Sequence, residues 1–90
     1  VIREGDLLNI DVSAELGGFW SDNGGSIVIG DRESMHGPLV QASRDILNNT
    51  IRNIRHGVRI SESGGRMERE ARARGFKVIR NLTGHGIGRR

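Results

Sequence analysis

Two aspartates and one histidine carry most of the chemistry this sequence could do. Asp11 sits in Leu8-Asn9-Ile10-Asp11-Val12-Ser13-Ala14, and Asp22 follows eleven residues later, with Gly17-Gly18 between them. Leu8, Ile10, Val12 and Ala14 alternate with Asn9, Asp11, Ser13 and Glu15, the period of a half-buried strand. Gly17-Gly18 suits a two-residue hairpin turn, because both positions of a type I′ turn need positive φ. A turn there pairs residues whose numbers sum to 35, so that Leu16 faces Phe19 and Ser13 faces Asp22. Asp11 then shares a face with Asp22 as a diagonal neighbour, with Cα atoms about 7–8 Å apart. Two carboxylates aimed at one point repel unless one is protonated or a cation lies between them. A hard or borderline divalent cation suits such a pair. The hairpin alone allows a second reading, two solvated carboxylates on the wet face of an edge hairpin.

His85 stands in Gly84-His85-Gly86-Ile87-Gly88. Flanking glycines let the backbone approach closely and leave the imidazole free to project. A neutral imidazole beside two carboxylates makes a mixed nitrogen and oxygen metal site. His36 and His56 lack such a setting. His36 reads as a loop residue and His56, before Gly57, as a helix terminator.

These residues need elements to hold them. The expected hairpin covers 6–29, with a bulge or bend at Gly24-Gly25 and a buried strand over Ser26-Ile27-Val28-Ile29. Residues 30–37 read as a loop. Pro38 suits the first helical position, and Leu39, Val40, Ser43, Ile46, Leu47, Thr50, Ile51 and Ile54 recur at helical spacing, predicting a helix over 38–55. Ser61 is a suitable N-cap for a second helix over 62–74. Glu62→Arg66, Glu68→Arg72 and Glu70→Arg74 are (i, i+4) pairs in the favoured order, and Gly75 fits the position just past the helix end. A last strand is expected over 76–83, around Lys77-Val78-Ile79-Arg80. The order is α+β, in a single domain over 1–90.

Composition narrows the classes. Fourteen of 90 residues are glycine, about twice the usual ~7%. The 34% hydrophobic share therefore builds a thin core, which predicts a marginal monomer and self-association. No apolar run approaches the ~18–20 residues of a membrane span, and no basic start leads into an apolar stretch, so neither a transmembrane helix nor a signal peptide is expected. With no cysteine, disulfides and thiolate-bound zinc are out, which fits the cytoplasm. Position 1 is Val and not Met, so a chain cut from a longer one, or processed, is expected. Arg72, Arg74, Lys77, Arg80, Arg89 and Arg90 concentrate positive charge towards the C-terminus. A nucleic-acid role is disfavoured, because the helix arginines have glutamate partners and one Trp and two Phe are all that could stack on bases.

Glu4-Gly5-Asp6-Leu7-Leu8-Asn9-Ile10-Asp11-Val12, Gly18-Phe19-Trp20-Ser21-Asp22, Gly75-Phe76-Lys77-Val78-Ile79-Arg80 and Thr83-Gly84-His85-Gly86-Ile87-Gly88-Arg89 together resemble the methionine aminopeptidase family of pita-bread metallopeptidases, closest to its bacterial type I members. The resemblance runs over almost the whole chain and implies roughly half of a pita-bread fold. It implies that Asp11 and Asp22 bind a two-metal centre with His85 as a further ligand, the metal being Co, Mn, Fe or Zn. The family centre also uses two glutamates and a second histidine after the Gly-His-Gly-Ile-Gly motif, and a substrate-contacting histidine before the hairpin; these 90 residues lack them. His56 stands where the family usually has Pro. The resemblance thus implies removal of N-terminal Met from peptides, with metal binding weak or vestigial and peptide turned over only if the full site is completed. The alternative is a non-catalytic half-domain that self-associates, most simply as a dimer.

Overall fold

In a computed structural model, residues 1–30 and 34–88 are described. The element order is β1 (Leu7–Leu16), β2 (Phe19–Val28), α1 (Gly37–Arg52) and α2 (Ile60–Ala73). The chain divides into two compact units, Val1–His36 with Asn81–Arg90, and Gly37–Arg80.

In the first unit, β1 and β2 form an antiparallel two-stranded sheet. Gly17 and Gly18 have φ of 60° and 90°, the two positive values that the tight turn requires. Every cross-strand pair, from Leu16 with Phe19 to Leu7 with Val28, keeps the expected register. The bulge expected at Gly24-Gly25 is absent. A bulge needs an extra residue on one strand, but β1 and β2 have ten residues each, and Gly24 and Gly25 pair in register with Asp11 and Ile10. Pairing continues past the strand ends, where Gly5 N–H donates to Ile29 O at 2.8 Å and Ile29 N–H to Asp6 O at 2.9 Å.

The unbroken register sorts side chains by face. Leu8, Ile10, Val12, Leu16, Phe19 and Ile27 share one face; Asn9, Asp11, Ser13, Glu15, Trp20, Asp22 and Ser26 share the other. In the loop expected over 30–37, residues 31–33 lie outside the described residues, and Gly37 already belongs to α1. Ser34 Oγ donates to Gly5 O at 3.1 Å and accepts from His36 N–H at 3.2 Å.

In the second unit, α1 stops at Arg52, short of the expected end at 55. Asn53 and Ile54 donate their N–H groups to Thr50 O and Ile51 O, at 3.0 and 3.1 Å. These i→i−3 bonds tighten the last turn and end the α-helical ladder. Helix α2 begins at Ile60, two residues before the expected start. The N-cap is Arg59, extended at φ −77° and ψ 142°, and Ser61 lies inside the first turn. Arg59 O already accepts from Glu62 and Ser63 N–H, so a backbone turn, not a serine side chain, starts the helix. At the other end, Phe76 N–H donates to Ala71 O at 2.9 Å and Gly75 N–H to Arg72 O at 3.0 Å, with Gly75 at φ 81°. That is a Schellman closure, as the position of Gly75 predicts.

The core is small. Among the described residues, Ala42, Ala71 and Thr50 are the buried ones. Thr50 satisfies its hydroxyl by donating to Ile46 O at 2.8 Å. The charge pattern on α2 differs from the expected ladder. Glu68–Arg72 forms at 2.9 Å, but Glu70 pairs with Arg66 at 3.4 Å. Arg74 instead reaches Asp45 on α1 at 3.2 Å, because a partner on the packed helix competes with the one on its own. The strand expected over 76–83 is not formed; 76–79 are irregular and 80–81 form a turn. A strand needs a ladder partner, and the described residues supply a sheet of β1 and β2 alone.

Candidate metal centre

The polar face of the hairpin carries Asp22 on β2, directly opposite Ser13 on β1. Ser13 Oγ donates to Asp22 Oδ1 at 3.2 Å. Asp22 Oδ2 faces His85 Nε2 at 3.1 Å. His85 comes from the irregular segment 82–88, and its Nδ1 lies 3.0 Å from the carbonyl oxygen of Gly86. Ser13, Trp20, Ser21, Asp22, His85, Gly86, Ile87 and Gly88 line a shallow pocket of about 190 Å³.

Both ring nitrogens of His85 thus face oxygen acceptors. A neutral imidazole has one N–H, so it can satisfy only one of them. The Gly86 carbonyl, and then the negative charge of Asp22, hold the His85 pKa above its ordinary value of 6.5. With Nδ1–H given to Gly86, the Nε2 lone pair faces a carboxylate, an arrangement that a proton or a metal cation at Nε2 relieves. A backbone carbonyl on the second nitrogen is the usual way a ligating histidine is oriented. Two donors 3.1 Å apart also suit one ion with bonds of about 2.0–2.2 Å. The donor chemistry therefore fits a divalent metal.

Asp11 shares the face of Asp22 and pairs with Gly24. Among the described residues, however, no group of three or more His, Asp or Glu side chains converges as a metal set. The structure joins Asp22 to His85 and gives Asp11 a sheet face in common with Asp22, though Asp11 does not line their pocket. His36 lies in the turn before α1, half-buried, and His56 is exposed in the turn after it. Ser13, Trp20, Ser21 and Ile87 also line the pocket, and residue types and spacing assigned none of them a role. The signal for Ser13 was present in the register, which sets it opposite Asp22; nothing in the spacing singled out Trp20.

Of the basic residues considered for nucleic acid, Arg72 and Arg80 pair with Glu68 and Arg74 with Asp45. Arg89 and Arg90 lie outside the described residues. No helix among the described residues is long and apolar enough to cross a membrane.

The metallopeptidase family M24 matches the chain over residues 1–90. Methionine aminopeptidase 2 of Bacillus subtilis (strain 168) is 44% identical over 89 residues, covering 99% of this chain and 36% of its own length. Methionine aminopeptidase B of Synechocystis sp. is 35% identical over 89 residues, covering 99% of this chain and 32% of its own. A methionine aminopeptidase of Staphylococcus epidermidis (strain ATCC 12228) is 41% identical over 92 residues, covering 98% of this chain and 36% of its own. The chain therefore spans about a third of the length of these relatives. A hairpin bearing the two aspartates, the helix pair and the glycine-flanked histidine all fall inside the match, and by it the chain belongs to metallopeptidase family M24.

Proposed function

We propose that this chain supplies part of the divalent-metal centre of an aminopeptidase that removes N-terminal methionine from peptides. The observation that carries the reading is the contact of His85 Nε2 with Asp22 Oδ2 at 3.1 Å, with Nδ1 turned to the Gly86 carbonyl. His85 Nε2 and Asp22 Oδ2 would hold the metal, with Asp11 joining them from the same sheet face. A divalent metal supplies Lewis acidity towards the scissile carbonyl and lowers the pKa of water. The chain's own residues orient and exclude. Gly86 fixes the imidazole tautomer, and Trp20 and Ile87 give the pocket an apolar wall against which a peptide side chain can lie.

Co, Mn, Fe and Zn all accept nitrogen and carboxylate donors, and the absence of cysteine fits a reducing cytoplasm. These 90 residues lack the two glutamates that the resemblance implies, so binding by them alone is weak and turnover poor. Calorimetric titration with Mn²⁺, Co²⁺ and Zn²⁺ tests the site. Heat of binding that Asp22→Asn and His85→Ala each abolish is the expected result. Equal binding by the wild type and both variants would return the two aspartates to solvated surface carboxylates.

A further inference from the structure

The two oxygens of the Asp22 carboxylate do different work. Oδ2 faces His85 Nε2 at 3.1 Å, while Oδ1 accepts from Ser13 Oγ at 3.2 Å. A carboxylate on a half-exposed strand can turn about its last torsion, which is broad and nearly two-fold. With the Asp22 side chain one-third exposed, packing alone does not stop that rotation. A hydroxyl on one oxygen does, because turning the group breaks the bond. Ser13 is the residue able to supply it, since the hairpin register sets 13 directly opposite 22, and cross-strand partners have Cβ atoms about 4.5–5.5 Å apart.

Resting on the metal reading above, we propose that Ser13 is a positioning residue for the centre: its hydroxyl holds Asp22 Oδ1 so that Oδ2 is presented together with His85 Nε2. Partners of this kind orient the ligand and typically change metal affinity by about 10–100-fold. The hydroxyl also selects which oxygen is offered, which an apolar residue of the same shape cannot do. At 3.2 Å the bond is slack for a hydroxyl on a carboxylate, so it is expected to shorten when Oδ2 is drawn to a cation.

Thr and Val at position 13 separate the hydroxyl from its shape. Both are β-branched and suit a strand; one keeps the donor and the other replaces it with a methyl group. In calorimetric titration of the full chain with Mn²⁺, Ser13→Thr is expected to bind like the wild type and Ser13→Val about tenfold more weakly. Asp22→Asn serves as the reference for loss of a ligand. Equal affinity of the Thr and Val variants, with Asp22→Asn still losing binding, would overturn the role of Ser13 and leave the metal reading standing. Undiminished binding by Asp22→Asn would overturn the metal reading itself. Metal-free crystal structures of the Thr and Val variants give an arm that needs no ion. The Oδ2–Nε2 contact is expected to persist with Thr and to be lost with Val, and persistence in both would refute the proposal.

Discussion

A histidine ring caught between two acceptors makes its own pH dependence predictable. The Gly86 carbonyl, with Asp22 as the second cause, raises the His85 pKa above 6.5. A raised pKa means that the protonated ring favours the folded state. That contribution is complete below the unfolded pKa and is lost as the pH rises through the folded one. On the proposed metal reading, binding would run the other way, because an ion at Nε2 competes with the proton there. An NMR titration of the metal-free chain should therefore give a His85 pKa above 6.5, lowered by Asp22→Asn but not to the ordinary value, since the Gly86 contact survives. A His85 pKa unmoved by Asp22→Asn would contradict the contact. The Mn²⁺ affinity of the same chain should fall as the pH is lowered through that pKa.

Among the elements, the helix pair depends on small residues and on its ends. Ala42 and Ala71 are 5% and 6% exposed, and both line an apolar pocket of about 240 Å³ between the helices, with Ile46, Leu47 and Met67. Ala71→Asp should place a carboxylate in that apolar seam and cost about 1–3 kcal/mol in a denaturant melt. Gly75 holds φ 81° in the closure of α2, where an L side chain is strained, so Gly75→Ala should cost about 1 kcal/mol. A Gly75→Ala chain as stable as the wild type would show that the closure contributes nothing. Asp45 adds a smaller, acid-side dependence. Its hydrogen bonds from Gln41 and then Arg74 lower its pKa below 3.8. Its contribution is therefore present above the unfolded value and disappears as the pH falls through the folded one. Arg74→Gln should flatten that limb of the stability profile.

For the whole molecule, the uneven balance between polar and apolar surface matters most. Leu16 and Phe19 are 86% and 61% exposed at the hairpin tip, and Ile10 and Val12 continue the same face at 49% and 57%. A sheet face of this kind is seldom left to water. We expect the chain to self-associate, most simply as a two-fold dimer, with this face as its apolar surface. Sedimentation across a micromolar concentration series should show a mass that rises with concentration, and Phe19→Ser should shift it towards the monomer. A compact monomer throughout, with a melt independent of concentration, would be the contrary result. Met-Ala-Ser hydrolysis with added Co²⁺ should stay far below the ~1–10³ s⁻¹ of ordinary enzymes, because the implied glutamates are not among these residues.

Period-two alternation and a Gly-Gly pair were enough to specify the hairpin, its turn and its register, because strand pairing is local once the turn is set. The same arithmetic put Asp11 and Asp22 on one face and Ser13 opposite Asp22. Helical spacing from Leu39 to Ile51 and the glycine at 75 likewise marked out α1 and the end of α2. Other features required the folded chain. The choice of Arg74 for Asp45 over Glu70 depends on the helix packed alongside, which (i, i+4) spacing cannot see. The start of α2 at Ile60 depends on a backbone turn that delivers Arg59 extended. Residues 76–83 have a strand's composition but no strand to pair with, and a ladder is a property of two segments. The meeting of His85 with Asp22 joins residues 63 positions apart in a chain whose segment 82–88 has no regular structure. Only the tertiary fold brings that imidazole to one oxygen of the carboxylate while Ser13 holds the other.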